Sequence, residues 1–321
     1  MTAAVVTLAV VGIALPHILR LGHARPMTAA AFWAAALTLR ALTTISVALF
    51  VLFVFPDAAA FRVLTHWCDQ SVLPVVGLHL DVQGHTLGAV AVLVPVVGIA
   101  FALTRAMLRM LRVARSVGRM LRAEALGAGP HQSIILGGPD VVVAAAGLVH
   151  PTLVVTAGAL AALDDDELAA GLAHENGHIV RRHNLLLAYA ECCRAVAAAL
   201  PGTRFAVSEL RFQLERDADE WVLRRHHDPC ALASAICKAA TMRSGTHPAV
   251  VALGGGALER RLDRLMDETP VTPGSWRRRL ADSAAVLMVC VTLSSTVALP
   301  TQALAGGGTH LSPHSDHHCV D

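Results

Sequence analysis

Apolar residues follow two different rhythms along this chain. In four stretches they run almost unbroken, at about 3–21, 28–55, 87–104 and 280–299. A helix needs roughly 20 apolar residues to cross a bilayer, so each stretch is predicted to be a membrane-spanning helix. Arg40 is the one charge inside the second stretch. An arginine near a span's centre costs about 2.5–3.5 kcal/mol on insertion scales, so Arg40 must snorkel, pair or lie near one end, and snorkelling towards an interface is the expectation. No basic residues precede the first stretch, which is therefore expected to be a span and not a cleaved signal.

Between residues 105 and 279 the rhythm changes. "SIILGGPDVVVAAAGLVHPTLVVT" is β-branched and punctuated by glycine, which predicts short strands at 133–136, 141–145 and 152–156 forming a small sheet. "DDDE" then signals a helix start with Asp164 or Asp165 as N-cap. That helix should run to about Arg182, with Leu168, Leu172 and Ile179 at near-helical spacing. A second helix is predicted over about 184–200, ending at Pro201-Gly202, and a third over 204–227. A charged helix, "ALERRLDRLMDE", precedes the fourth span. The expected fold is mainly α: a multi-pass membrane protein whose four transmembrane helices carry an α+β domain between spans three and four. Its divisions are a three-span region at 1–104, the inserted domain at 105–279, the fourth span at 280–299 and a short His-rich tail at 300–321.

Composition agrees: 55% hydrophobic and 16% charged is too apolar for an ordinary soluble domain. The net charge of +2 says little, but its placement sets an orientation. Arg105, Arg109, Arg112, Arg115, Arg119 and Arg122 follow the third span, Arg277–Arg279 precede the fourth, and Arg20 and Arg25 fall in the first connection. The positive-inside rule then puts 105–279 in the cytoplasm, with the N-terminus, the 56–86 loop and the tail outside. The six arginines are spaced to draw a stripe down one helical face, which suits anionic lipid headgroups at the bilayer surface. Direct nucleic-acid binding is not expected, because no aromatic residues interleave. Seven cysteines without a repeating spacing indicate neither a disulfide framework nor a cysteine zinc knuckle. In the tail, His310, His314, His317, His318 and Cys319 are packed closely enough to bind Zn or Cu, or they form a solvated end. Cys68 shares the predicted outer side with Cys319, which would allow a disulfide. "ALA" at 303–305 reads as a signal-like cleavage site.

The chemistry concentrates in "GLAHENGHIVRRHN", residues 171–184. On a helix, His174 and His178 project from one face and can reach one metal ion, while Glu175 is rotated to where it can take a proton from a bound water. The alternative is a pair of surface histidines on an amphipathic helix. Catalytic zinc takes three protein ligands, and the third candidate is Glu215 in "LERDADEW". Asp219, four residues on, can hold a histidine N–H from outside the coordination sphere. Taken alone, that pair reads equally well as a solvated acidic face. His183 falls off the ligand face and is expected to be structural, and Tyr189 or the pair His226-His227 are candidate oxyanion donors.

"LAAGLAHENGHIVRRHN" followed about forty residues later by "ERDAD" resembles the membrane-bound gluzincin metallopeptidases, and among them the BlaR/MecR kind of antirepressor protease. The likeness covers roughly residues 100–300: three spans before the zinc domain, one after it, the "RRHN" extension and the E-x-x-A-D helix. It implies a cytoplasmic zinc metallopeptidase domain binding Zn²⁺ through His174, His178 and Glu215, with Glu175 as catalytic base and Asp219 as supporting carboxylate. It also implies a protein substrate, such as a BlaI-like transcriptional repressor. Asn176 stands where that group usually has an apolar residue, and the penicillin-binding sensor of that kind is not expected after the fourth span. Two other functions compete: a housekeeping membrane quality-control metalloprotease, and a non-catalytic membrane metal sensor using the tail. The intact Glu175 speaks against the sensor.

Overall fold

A computed structural model describes residues 24–53, 84–241 and 258–266, together with 63, 66, 276, 279, 280, 282–287, 289 and 290. The first predicted span, Cys68, Cys319, the tail and the 303–305 site lie outside the described residues. The described pieces of the fourth predicted span are helical.

Among the described residues two long helices come first: α1 (Pro26–Phe53) and α2 (Gly84–Glu124). Stretches of both, Pro26–Leu52 and Val92–Glu124, are long and apolar enough to cross a membrane. The third predicted span does not stop at 104. The helix runs on through all six arginines, every one exposed, so the basic stripe extends the same helix.

Directly after α2 comes β1 (Ala125–Ala128), then β2 (Ile134–Leu136), β3 (Val143–Ala146) and β4 (Thr152–Thr156). The sheet order is β1-β2-β4-β3; β2 and β4 are parallel and the other two pairs antiparallel. The last three strands fall within two residues of the pattern's prediction. β1, "ALGA", was not predicted: all four residues are exposed, so no inside-outside alternation marks them.

Between the sheet and residue 242 the described residues form five helices: α3 (Ala157–Ala162), α4 (Asp165–Val180), α5 (His183–Val196), α6 (Thr203–Leu223) and α7 (Pro229–Thr241). α4 starts as its sequence dictates. The Asp164 carboxylate accepts from the Glu167 N–H at 2.8 Å, and the Glu167 carboxylate accepts from the Asp164 N–H at 2.9 Å, a complete capping box. Glu167 also accepts from Lys238 Nζ at 2.6 Å, so the chain's single lysine clamps α7 to the start of α4. Val141, Leu153, Val155, Leu163 and Leu172 form the core between sheet and helices, with Leu168 and Ile179 half-buried against it.

α5 and α6 form a hairpin through Pro201 and Gly202, the glycine adopting φ 76°. The hairpin packs on the first half of α1. Phe32, Trp33 and Leu37 share a core with Ala190, Cys193, Val207, Leu210 and Leu214, whereas Ile45, Val47, Leu49 and Phe50 further along α1 are exposed. Arg40 corrects the snorkelling expectation. It is fully buried, and its Nη1 donates to the Pro201 carbonyl at 2.7 Å. The turn leaves that carbonyl without a helical partner, and the guanidinium satisfies it.

Candidate metal centre

The centre lies where α4 meets α6. His174 and His178, one turn apart on α4, are both buried. Opposite them, α6 presents Glu215 and Asp219. The close approach depends on Gly177: a Cβ there would come within 3.0 Å of Trp221 Cδ1 on α6.

His174 Nε2 lies 3.2 Å from His178 Nε2 and 3.4 Å from Glu215 Oε2, and His178 Nε2 lies 3.7 Å from Glu215 Oε1. Ligand atoms about 2.0–2.2 Å from a tetrahedral zinc stand roughly 3.3–3.5 Å apart, so the three donors fit one ion. They form a group able to hold a metal, all within 4.8 Å of one another. Among the described residues this is the one such group.

The surroundings hold the donors. Asp219 Oδ1 is 3.1 Å from His174 Nδ1. Arg261, on the helical segment 258–266, donates to both Asp219 oxygens at 3.0 and 2.7 Å, and to Glu215 Oε2 at 2.7 Å. Glu175 turns towards the sheet, where its Oε2 accepts from the Ala145 N–H of β3 at 2.8 Å. His183 is fully buried, with Nδ1 2.9 Å from His178 Nδ1 and Nε2 3.3 Å from Asp217 Oδ2. Asn184 Nδ2 donates to the Gly147 carbonyl at 3.0 Å and ties the end of the "RRHN" run to the loop after β3.

Burial and neighbouring charge together set the ionisation of His174, His178, Glu175, Glu215 and Asp219. For His174, burial disfavours the charged ring, but Asp219 and Glu215 outweigh it and raise the pKa to about 10. His178 goes the other way: burial, then the charge on His174, lower it to about 4. Burial alone would raise Glu215 and Asp219, yet His174 and Arg261 hold both below the usual carboxylate range. The Glu175 carboxyl is pushed up by burial, against the opposing pull of His174 and of the Ala145 N–H.

The sequence-based candidates therefore divide. His174, His178, Glu215 and Asp219 converge, and Glu175 lies beside them on the β3 side. Tyr189 does not join: its hydroxyl is 2.6 Å from Thr38 Oγ1 on α1. His226 and His227 follow the end of α6, exposed and half-buried respectively, with no described contact to the cluster. Arg261 and Asp217 were missed, and His183, expected to be structural, lies against one of the candidate ligands. A helical wheel drawn through residue 183 rotates His183 away from the ligand face. In fact α4 ends at Val180, and Arg182, at φ 54°, turns the ring back against His178.

Residues 107–252 match the model of peptidase family M48. No curated protein and no solved structure matches the chain. The matched segment encloses the His174–His178 helix and the Glu215–Asp219 helix, and it supports a metallopeptidase of a family that typically depends on zinc.

Proposed function

We propose that this chain is a membrane-associated zinc endopeptidase. His174, His178 and Glu215 hold Zn²⁺, Glu175 is the catalytic base, and Asp219 orients the His174 ring. The carrying observation is the convergence of two imidazole Nε2 atoms and one carboxylate within 4.8 Å, inside a segment matching a metallopeptidase family. Bound zinc supplies Lewis acidity, lowering the pKa of a water to about 7 and polarising the scissile carbonyl. The protein's own groups do the rest. Glu175, its carboxyl raised by burial, takes the water's proton and returns it to the leaving amine as the C–N bond breaks. The Ala145 N–H fixes one Glu175 oxygen and leaves the other for that transfer. Asp219 Oδ1, 3.1 Å from His174 Nδ1, sets a carboxylate against that edge of the ring, so that Nε2 faces the other two donors.

With the 105–279 region in the cytoplasm, the substrate is a cytosolic repressor of the BlaI-like type, and the role is regulatory. The M48 match is general to the family, so a housekeeping protease acting on membrane proteins is the second reading. Glu175→Gln tests the activity. Purified in detergent, the variant should keep its zinc and lose peptide-bond cleavage by at least about a hundredfold. Cleavage at the wild-type rate would overturn the assignment. Proteins that accumulate in cells carrying Glu175→Gln then decide the role, a DNA-binding repressor supporting the regulatory one and misfolded membrane proteins the housekeeping one.

A further inference from the structure

The turn at Arg181-Arg182 brings the His183 ring against His178, and the two Nδ1 atoms stand 2.9 Å apart in a fully enclosed space. At that distance one nitrogen carries the proton and the other accepts it, since two donors or two acceptors would repel. The opposite edge of the His183 ring settles which. Its Nε2 lies 3.3 Å from Asp217 Oδ2. Both atoms are enclosed, and neither makes a hydrogen bond among the described residues, so the 3.3 Å approach is an ion-pair contact between them. An ionised carboxylate only accepts, so the proton between them belongs to His183 Nε2. A neutral His183 then has a bare Nδ1, which must accept from His178 Nδ1–H. His178 is left with a lone pair on Nε2, the atom 3.2 Å from His174 Nε2 and 3.7 Å from Glu215. The competing arrangement, a doubly protonated His183, would bury a full charge beside a carboxylate already faced by Arg181 at 3.6 Å and Arg224 at 3.7 Å.

We infer that Asp217 and His183 form a relay that locks His178 in the tautomer presenting its Nε2 lone pair to a metal, which makes His183 a positioning residue of the centre. Asp219 stands directly at His174 Nδ1; among the described residues no carboxylate stands at His178 Nδ1, which reaches Asp217 through a second imidazole.

The inference rests on the zinc site proposed above, and two measurements separate their fates. The first is the long-range ¹H–¹⁵N spectrum of zinc-free, histidine-labelled protein in micelles. It should show His178 protonated on Nδ1 and His183 on Nε2. A His178 proton on Nε2 overturns the relay without touching the zinc site. The second is zinc affinity, by competition with a chromophoric chelator. His183→Phe removes the acceptor and should weaken binding about 10–100-fold, the usual range for loss of a group supporting a ligand. His183→Asn keeps an oxygen near the Nδ1 position and should recover most of the loss. Equal affinity in His183→Phe and wild type, or His183→Asn falling as far as His183→Phe, overturns the relay. Wild-type protein that takes up no zinc overturns the site and the relay together. If His183→Phe does not fold, the wild-type spectrum still decides.

Discussion

In zinc-free protein at neutral pH, His174, with its pKa raised to about 10, holds a proton, and His178, lowered to about 4, does not. Glu215 and Asp219 are ionised. A metal at the proposed site must therefore displace one proton, and it comes from His174. Apparent zinc affinity should rise about tenfold per pH unit between pH 7 and 9, with close to one proton released per ion. Calorimetry in buffers of different ionisation enthalpy reads this directly, and affinity that stays flat over the interval counts against the assignment. The same shift predicts how stable the zinc-free fold is. A histidine whose folded pKa lies above its ordinary 6.5 contributes stability that is fully present below pH 6.5 and is lost as pH rises through about 10. Glu215 and Asp219, both lowered, contribute stability lost in acid. Thermal melts of zinc-free protein should fall from pH 7 towards pH 10, and zinc should reduce that dependence.

The next scale is the pairing of α4 with α6, and Gly177 governs it. Trp221 packs over this glycine, and the Arg225 guanidinium lies 3.6 Å from the centre of its ring. Gly177→Val would push α6 away from α4 and carry Glu215 and Asp219 with it. Overpacking of this kind costs about 1–3 kcal/mol, so both melting temperature and zinc affinity should drop, while Gly171→Ala, where a Cβ meets Val143 at 3.8 Å, should be tolerated. A Gly177→Val protein with wild-type affinity would show that the helices are not held this closely. Much at this scale was legible in the sequence. The capping box, the i,i+4 pairs and three of the four strands carry local signals, because each depends on residues only a few positions apart. His183 and Arg261 carry none. The first depends on where a helix stops, the second on how a segment over forty residues away folds back onto α6.

For the molecule as a whole, the question is whether α1 belongs with the membrane or with the peptidase helices. An all-apolar helix gives no sign of which face meets protein, so the division at residue 105 followed from hydropathy alone. The packing crosses it. Phe32, Trp33 and Leu37 lie against Val207, Leu210 and Leu214, Trp33 meets Phe205 edge-on at 5.7 Å, and Arg216 Nη2 donates to the Ala24 carbonyl at 3.3 Å. Where the alternative is water, burying three such side chains contributes about 5–9 kcal/mol, and where it is lipid the gain is limited to close packing. α6, which carries Glu215 and Asp219, is thus braced by α1 on one side and α4 on the other. A fragment comprising residues 105–279 should leave the α5–α6 apolar face uncovered, aggregate or digest readily under limited proteolysis, and bind zinc weakly. Supplying α1, by coexpression of a 24–53 segment or by fusion, should restore compactness and zinc uptake together. If the 105–279 fragment is instead monomeric, protease-resistant and zinc-loaded, α1 serves only as an anchor, and the buried Arg40–Pro201 contact makes no needed contribution to holding the site.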